Sequence, residues 1–316
     1  MPPTVRHNMG TVGEHIALSC AVDWVCEYSR EKGPVRYVDT HGMAPLNIPI
    51  GSDFPKLVTD LSDQFRDQEA TQAPDSLRTY FDSIRRATIH LRDNGINAWY
   101  PTHFLHAWAA ARARCARFEG YIFENDDEGA GRRQLLSKFL PVANFLLAPD
   151  GFNATLAPAP GDFRNARAWP SAAPRPGCGL VLMNDPLQME RNRQDDPYMD
   201  PTDLNFLASE LNDRYLDRPA LTVCVIFCFS NPGTAERYQH LTDLIASTWN
   251  RSFAPQGQSA SAGIKWGSFM FFVGAANTGA VWDKPTLAKA FAMLERNIRA
   301  CFNLVHGSEV TLFRAK

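Results

Sequence analysis

Apolar positions along the chain fall into short unbroken runs, separated by longer segments in which they recur every three or four residues. That alternation predicts strands buried on both faces, set between amphipathic helices. Leu180 to Met183 is one such run, and it stops at the polar turn Asn184-Asp185-Pro186, where proline removes a ladder donor. Leu221 to Phe229 reads as a long central strand. Val35–Asp39, Gly120–Glu124, Asn144–Ala148 and Phe269–Val273 supply further strands, and Glu309–Phe313 adds a short edge strand. Helical periods run through 13–29, 76–93, 103–117 and 129–140, from near Asp200, through Tyr238 to Leu244, and onward from Asp283-Lys284-Pro285-Thr286. Segments 46–75, 156–177 and 259–263 read as surface excursion or loop. Strands that alternate with helices predict an α/β fold with a doubly wound sheet.

One interval breaks the rhythm. About eighty residues separate Asp39 from the strand at Gly120, against a dozen or so for an ordinary crossover. An inserted helical subdomain is the economical explanation. The expected layout is a helix and first strand in 1–45, an inserted helical subdomain in 46–98, and the remainder of the sheet domain in 99–316.

Composition adds exclusions. The net charge of −2 gives no global attraction to nucleic acid, although the 32 Lys and Arg leave room for a local basic face. Seven cysteines without a CxxC spacing argue against a zinc site and for buried free thiols in a reducing compartment. No apolar run reaches the roughly 18 residues a membrane span needs, and the N-terminus has no apolar leader segment, so a cytoplasmic protein is expected.

Candidate chemistry lies at the predicted strand ends. These are Asp39-Thr40-His41-Gly42, then Glu124, then Asp150-Gly151-Phe152, then Asn184-Asp185-Pro186. A doubly wound sheet brings the carboxyl ends of its strands to one rim, where ligands bind. The residue types suit a nucleoside: acids for ribose hydroxyls, and an Asp with an aromatic for a purine. Each has a local alternative. The acidic cluster after Glu124 also fits a helix N-cap, Phe152 fits simple core packing, and Asn184-Asp185-Pro186 fits an ordinary turn.

In this order the motifs resemble S-adenosylmethionine-dependent methyltransferases, and in particular the family that methylates the exocyclic N6 of an adenosine in 23S ribosomal RNA. That family reads Tyr-x-Asp-Thr-His-Ala-Gly-Ala-Gly at its first strand, where this chain has Tyr37-Val38-Asp39-Thr40-His41-Gly42-Met43-Ala44-Pro45. Tyr100-Pro101 follows the inserted region as Tyr-Pro does there, with His103 at the family's Ser. Glu124 and Asp150-Gly151-Phe152 match the second-strand acid and the Asp-Gly-Phe. Gly179-Leu180-Val181-Leu182-Met183-Asn184-Asp185-Pro186-Leu187-Gln188-Met189 aligns without gaps on Gly-Leu-x-Leu-Ile-Asp-Pro-Pro-Tyr-Glu-Met.

The resemblance implies a Rossmann-like class I methyltransferase domain with a small inserted helical subdomain. It implies S-adenosylmethionine as cofactor, held by Asp39, His41, Gly42, His103, Glu124, Asp150, Gly151 and Phe152. It implies Asn184, Asp185 and Pro186 as the catalytic motif and adenine N6 of RNA or DNA as acceptor. Four departures have physical consequences. Met43 and Pro45 replace loop glycines that allow close backbone approach to a ligand. Asp185 stands at the first Pro, and Leu187 replaces the aromatic that would stack on a base for about 1–3 kcal/mol. These departures keep open an alternative: a degenerate homologue that binds a ligand or a protein partner.

Overall fold

A computed structural model of the chain describes residues 4–6, 9–28, 35–40, 46–50, 53–68, 73–93, 100–114, 118–124, 154–160, 179–184, 205–206, 209, 220–230, 234–253, 257–278, 283–306 and 310–314. In chain order the first half holds β1 (Thr4–Arg6), α1 (Met9–Tyr28), β2 (Val35–Asp39), β3 (Leu46–Ile50), α2 (Asp53–Gln68), α3 (Asp75–Asp93), β4 (Tyr100–Pro101), α4 (His103–Ala113) and β5 (Phe118–Glu124). The second half holds β6 (Ala154–Pro160), β7 (Gly179–Asn184), β8 (Ala220–Ser230), α5 (Ala235–Phe253), β9 (Gly257–Trp266), β10 (Phe269–Thr278), α6 (Lys284–His306) and β11 (Val310–Phe313).

The fold is mixed α/β. Eight strands form one sheet in the order β11-β9-β10-β8-β7-β2-β5-β6, and β1, β3 and β4 form a small second sheet. From β6 through β5, β2 and β7 to β8 the neighbours are parallel. β10 runs antiparallel to both β8 and β9, and β11 is antiparallel to β9. β2 is the first strand of the large sheet in the chain and lies inside it. The next two, β5 and β6, extend the sheet to one side, whereas β7 and β8 extend it to the other. The strand order therefore reverses between β2 and β7, the position at which open α/β sheets bind ligands beyond the strands' carboxyl ends.

α1 explains how the core closes. Its sequence has no continuous polar face, and Val12 through Val22 are buried. A helix that is apolar or small all round belongs inside the protein. α1 lies on β2, β7 and β8 while touching α3, α4 and α6. Gly13 lets it approach closely: a Cβ there would sit 2.6 Å from Phe271 Cζ and 2.8 Å from the Trp266 ring. Trp266 stacks on Phe302 of α6 at 4.5 Å between ring centroids. On the opposite face of β10, a Cβ at Gly274 would meet Trp249 of α5 at 2.8 Å. Helices thus cover both faces of this end of the sheet. Cys20 of α1 and Cys301 of α6 are buried free thiols with their sulfurs 3.6 Å apart.

Several elements differ from the sequence expectation. Residues 46–75, read as a surface excursion, contain β3, all of α2 and the first residue of α3. The Ser-Ala-Gly stretch 259–263, read as loop, lies within β9, where cross-strand pairing to β10 outweighs the lack of large apolar side chains. Ala154–Pro160 overlaps a region read as loop because of its prolines. It is an edge strand, where a missing N–H can face away from the ladder. The strand expected at 144–148 and the helix at 129–140 lie outside the described residues. Of the helix expected from near Asp200, Asn205, Phe206 and Ser209 are described, and all three are helical. The edge strand near Phe313 is present as β11. Among the described residues, no helix is long and apolar enough to cross a membrane.

Candidate functional site

The carboxyl end of β2 carries Asp39, which is 1% exposed. Residues two apart on a strand share a face, and Tyr37 uses this to donate its hydroxyl to Asp39 Oδ2 at 2.9 Å. α4 starts beside this end. Thr102 precedes it in extended conformation, and the helix opens on His103, which is buried. His103 Nδ1 is 3.6 Å from Asp39 Oδ2, while its Nε2 is 3.7 Å from Glu14 Oε2 on α1. A single imidazole therefore stands between two buried carboxylates from different elements.

Behind His103 the polar groups continue into the interior. The His15 ring lies 4.8 Å from that of His103 and 4.5 Å from that of His106. His15 Nδ1 and the Tyr80 hydroxyl each lie 3.0 Å from the Tyr100 hydroxyl. Ser83 donates to the Tyr80 carbonyl at 2.7 Å and lies 2.9 Å from His106 Nδ1. With the Ser83 hydrogen committed to that carbonyl, His106 is the donor in the second bond, which selects its Nδ1–H tautomer. Burial, reinforced by the charge of His103, pushes the His106 pKa down to about 3, so this imidazole is neutral. Burial raises both phenols, Tyr80 and Tyr100, above the usual tyrosine range, so they serve as protonated hydroxyls.

The network ties α1, α3, β4 and α4 to the end of β2. It is acidic on the side of Asp39 and Glu14. Buried ionised carboxylates need compensating partners, and His103 faces both. Glu14 Oε1 has no hydrogen-bond partner among the described residues.

Of the residues expected from sequence, Asp39 and His103 come together here. Asn184 ends β7, and the register pairs Asp39 with Met183, so Asn184 lies one residue further along the same rim. Glu124 ends β5 two residues beyond Ile122, the partner of Asp39 on the other side. For Asn184 and Glu124 only the backbone is described. His41, Gly42, Asp150, Gly151, Phe152, Asp185 and Pro186 lie outside the described residues. The strand beside β5 begins at Ala154, so Asp150, Gly151 and Phe152 precede it in the chain. The sequence reading assigned no role to Glu14, His15, Tyr80, Ser83 or His106. The available signal was an adjacent Glu-His pair in a helix without a continuous polar face, together with two histidines at i and i+3 on α4.

No family model matches the chain, and no curated protein matches it. Among solved structures, it is similar to the crystal structure of protein LPL1258 from Legionella pneumophila, whose family model is DUF519. The TM-score is 0.54 at 14% identity, over 98% of each chain. At that identity the likeness concerns the fold.

Proposed function

We propose that this chain is a Rossmann-like class I methyltransferase that uses S-adenosylmethionine to methylate an amino group, with adenine N6 of RNA or DNA as the acceptor implied by its motifs. The observation that carries this reading is the β2–β7 register. It sets Asn184, the first residue of the motif Asn184-Asp185-Pro186, next to Asp39 at the point where the strand order reverses. Five parallel strands in the sense three-two-one-four-five support it. So does a buried, net-acidic cluster, since the donor is cationic at both its sulfonium and its ammonium groups.

When bound, the donor supplies an electrophilic methyl group. The chain's own part is orientation. Asp39, set by Tyr37 and His103, and Glu124 at the end of β5 are the acids that would hold the ligand's polar edges. The Asn184 side-chain carbonyl would accept a hydrogen bond from the acceptor amine, turning the nitrogen lone pair towards the methyl carbon. Positioning of this kind accounts for much of the rate in a bimolecular transfer. The nucleic-acid partner, the inserted subdomain over 46–98 and a cytoplasmic setting belong to the same reading and rest on the resemblance.

Asp185 and Leu187 favour a second reading, in which the crevice binds the nucleoside ligand without turnover. Calorimetric titration of ligand-free protein with S-adenosylmethionine and S-adenosylhomocysteine tests the first reading. Binding of both is expected, and binding of neither sinks it. Transfer of labelled methyl to cellular RNA or DNA then excludes the second.

A further inference from the structure

We infer that Glu14 is a binding residue for a primary ammonium group, and that this group is the amino terminus of the donor's methionine tail. The inference rests on the methyltransferase reading for the identity of the ligand. It rests on the structure for the identity of the residue.

Glu14 is on α1 and 3% exposed, beside the buried imidazoles of His15 and His103. A carboxylate in such a place needs hydrogen bonds on both oxygens or a counter-charge at close range. Glu14 has half of that. Oε2 faces His103 Nε2 at 3.7 Å, beyond hydrogen-bond length, and Oε1 has no hydrogen-bond partner among the described residues. His103 is shared, because its Nδ1 faces Asp39 at 3.6 Å. His106, the next imidazole on α4, is neutral and supplies no charge.

Two carboxylates divided by one imidazole leave a deficit of positive charge and of donors, located on the Glu14 side. An ammonium group supplies both, with three N–H donors on one charge. The placement agrees with the rest of the site. Asp39 is at the carboxyl end of β2 and His103 links it to Glu14, so Glu14 stands on the α1 side of the crevice. Glu124, the ring-side acid expected at the end of β5, stands on the other side of β2. A nucleoside ligand spanning the crevice would then have its base and ribose on the β5 side and its amino-acid tail on the α1 side.

The experiment compares three ligands on the wild-type protein and on Glu14→Gln. S-Adenosylmethionine carries the ammonium and the sulfonium, S-adenosylhomocysteine carries the ammonium alone, and 5′-methylthioadenosine carries neither. Removing one charge-assisted contact should weaken the first two by roughly 10- to 100-fold and leave 5′-methylthioadenosine within about twofold. Unchanged binding of 5′-methylthioadenosine also certifies that the variant is folded. Equal affinity of S-adenosylhomocysteine for wild type and variant overturns the assignment. A loss confined to S-adenosylmethionine overturns it as well, since it would place the sulfonium at Glu14. An equal loss for all three ligands assigns Glu14 to the general framework of the site and likewise overturns it. If wild type binds none of the three, the methyltransferase reading fails, and that outcome is distinct from the failure of Glu14 alone.

Discussion

His103 Nδ1 lies 3.6 Å from Asp39 Oδ2, which joins the first residue of α4 to the carboxyl end of β2. The same ring faces Glu14 on α1. One imidazole on α4 therefore lies against carboxylates of two further elements, β2 and α1.

Replacing His103 with Ala should leave two buried carboxylates without the imidazole that separates them. Removing one partner of a buried ionic cluster costs several kcal/mol, on the order of 3–5. The expected outcome is a large fall in the urea midpoint at neutral pH, together with loss of S-adenosylhomocysteine binding. A variant of wild-type stability would show that the imidazole does not hold the two carboxylates in place.

Asn184→Ala tests the chemistry separately from the framework. Asn184 is the last residue of β7, and its backbone is held by the ladder to β8, where it pairs with Ile226. Truncating the side chain should leave the fold and donor binding intact and reduce methyl transfer by at least about 100-fold, the scale of removing one oriented hydrogen-bonding group at a reacting centre. Single-turnover transfer to RNA, measured beside donor affinity, separates the two effects. Undiminished transfer would remove this motif from the catalytic centre.

How far the sequence reached can be judged from particular residues. Asp39 and Asn184 were legible because unbroken apolar runs ending in polar turns mark parallel strands, and their carboxyl ends converge. β9 was missed because Ser259-Ala260-Ser261-Ala262-Gly263 lacks the bulky alternation that announces a strand. Its small residues are needed where α5 presses on the sheet, as at Gly263 beneath Thr242. The network behind His103 was hidden for another reason. His15 and Tyr80 are 85 and 20 residues from Tyr100 in the chain, and a lone His or Tyr reads as core until the fold brings it to a partner.

The approach of α1 to the sheet makes Gly13 a sensitive position. A methyl group there would lie 2.6 Å from Phe271 Cζ and 2.8 Å from the Trp266 ring, and both rings are already fixed against Phe302. Gly usually gives way to Ala at a gain in a helix, by about 1 kcal/mol. Here overpacking should reverse the sign and destabilise by about 1–3 kcal/mol. Gly13→Ala measured by equilibrium urea unfolding should therefore have the lower midpoint. A raised midpoint would mean that α1 stands further from β9 and β10.

His106 gives the fold an acid-sensitive component with a defined sign. Its ordinary value of 6.5 falls to about 3 in the folded protein, through burial first and the charge of His103 second. Between those values the unfolded chain binds the proton and the native state does not, so stability falls as pH drops from about 6.5 towards 3. Buried around the ring are His15, His103, Tyr80, Tyr100 and Ser83, and none of the nearest contacts is a carboxylate that would favour the imidazolium. Carboxylates elsewhere also contribute to acid unfolding, so the informative quantity is the difference between wild type and His106→Gln. At pH 7 the variant should be the less stable, because it loses ring packing. From pH 7 to pH 4 the gap should narrow, because only wild type has a depressed imidazole to protonate on unfolding. Urea midpoints for both proteins across that range measure the gap, and a constant difference would show that His106 titrates alike in the folded and unfolded chains.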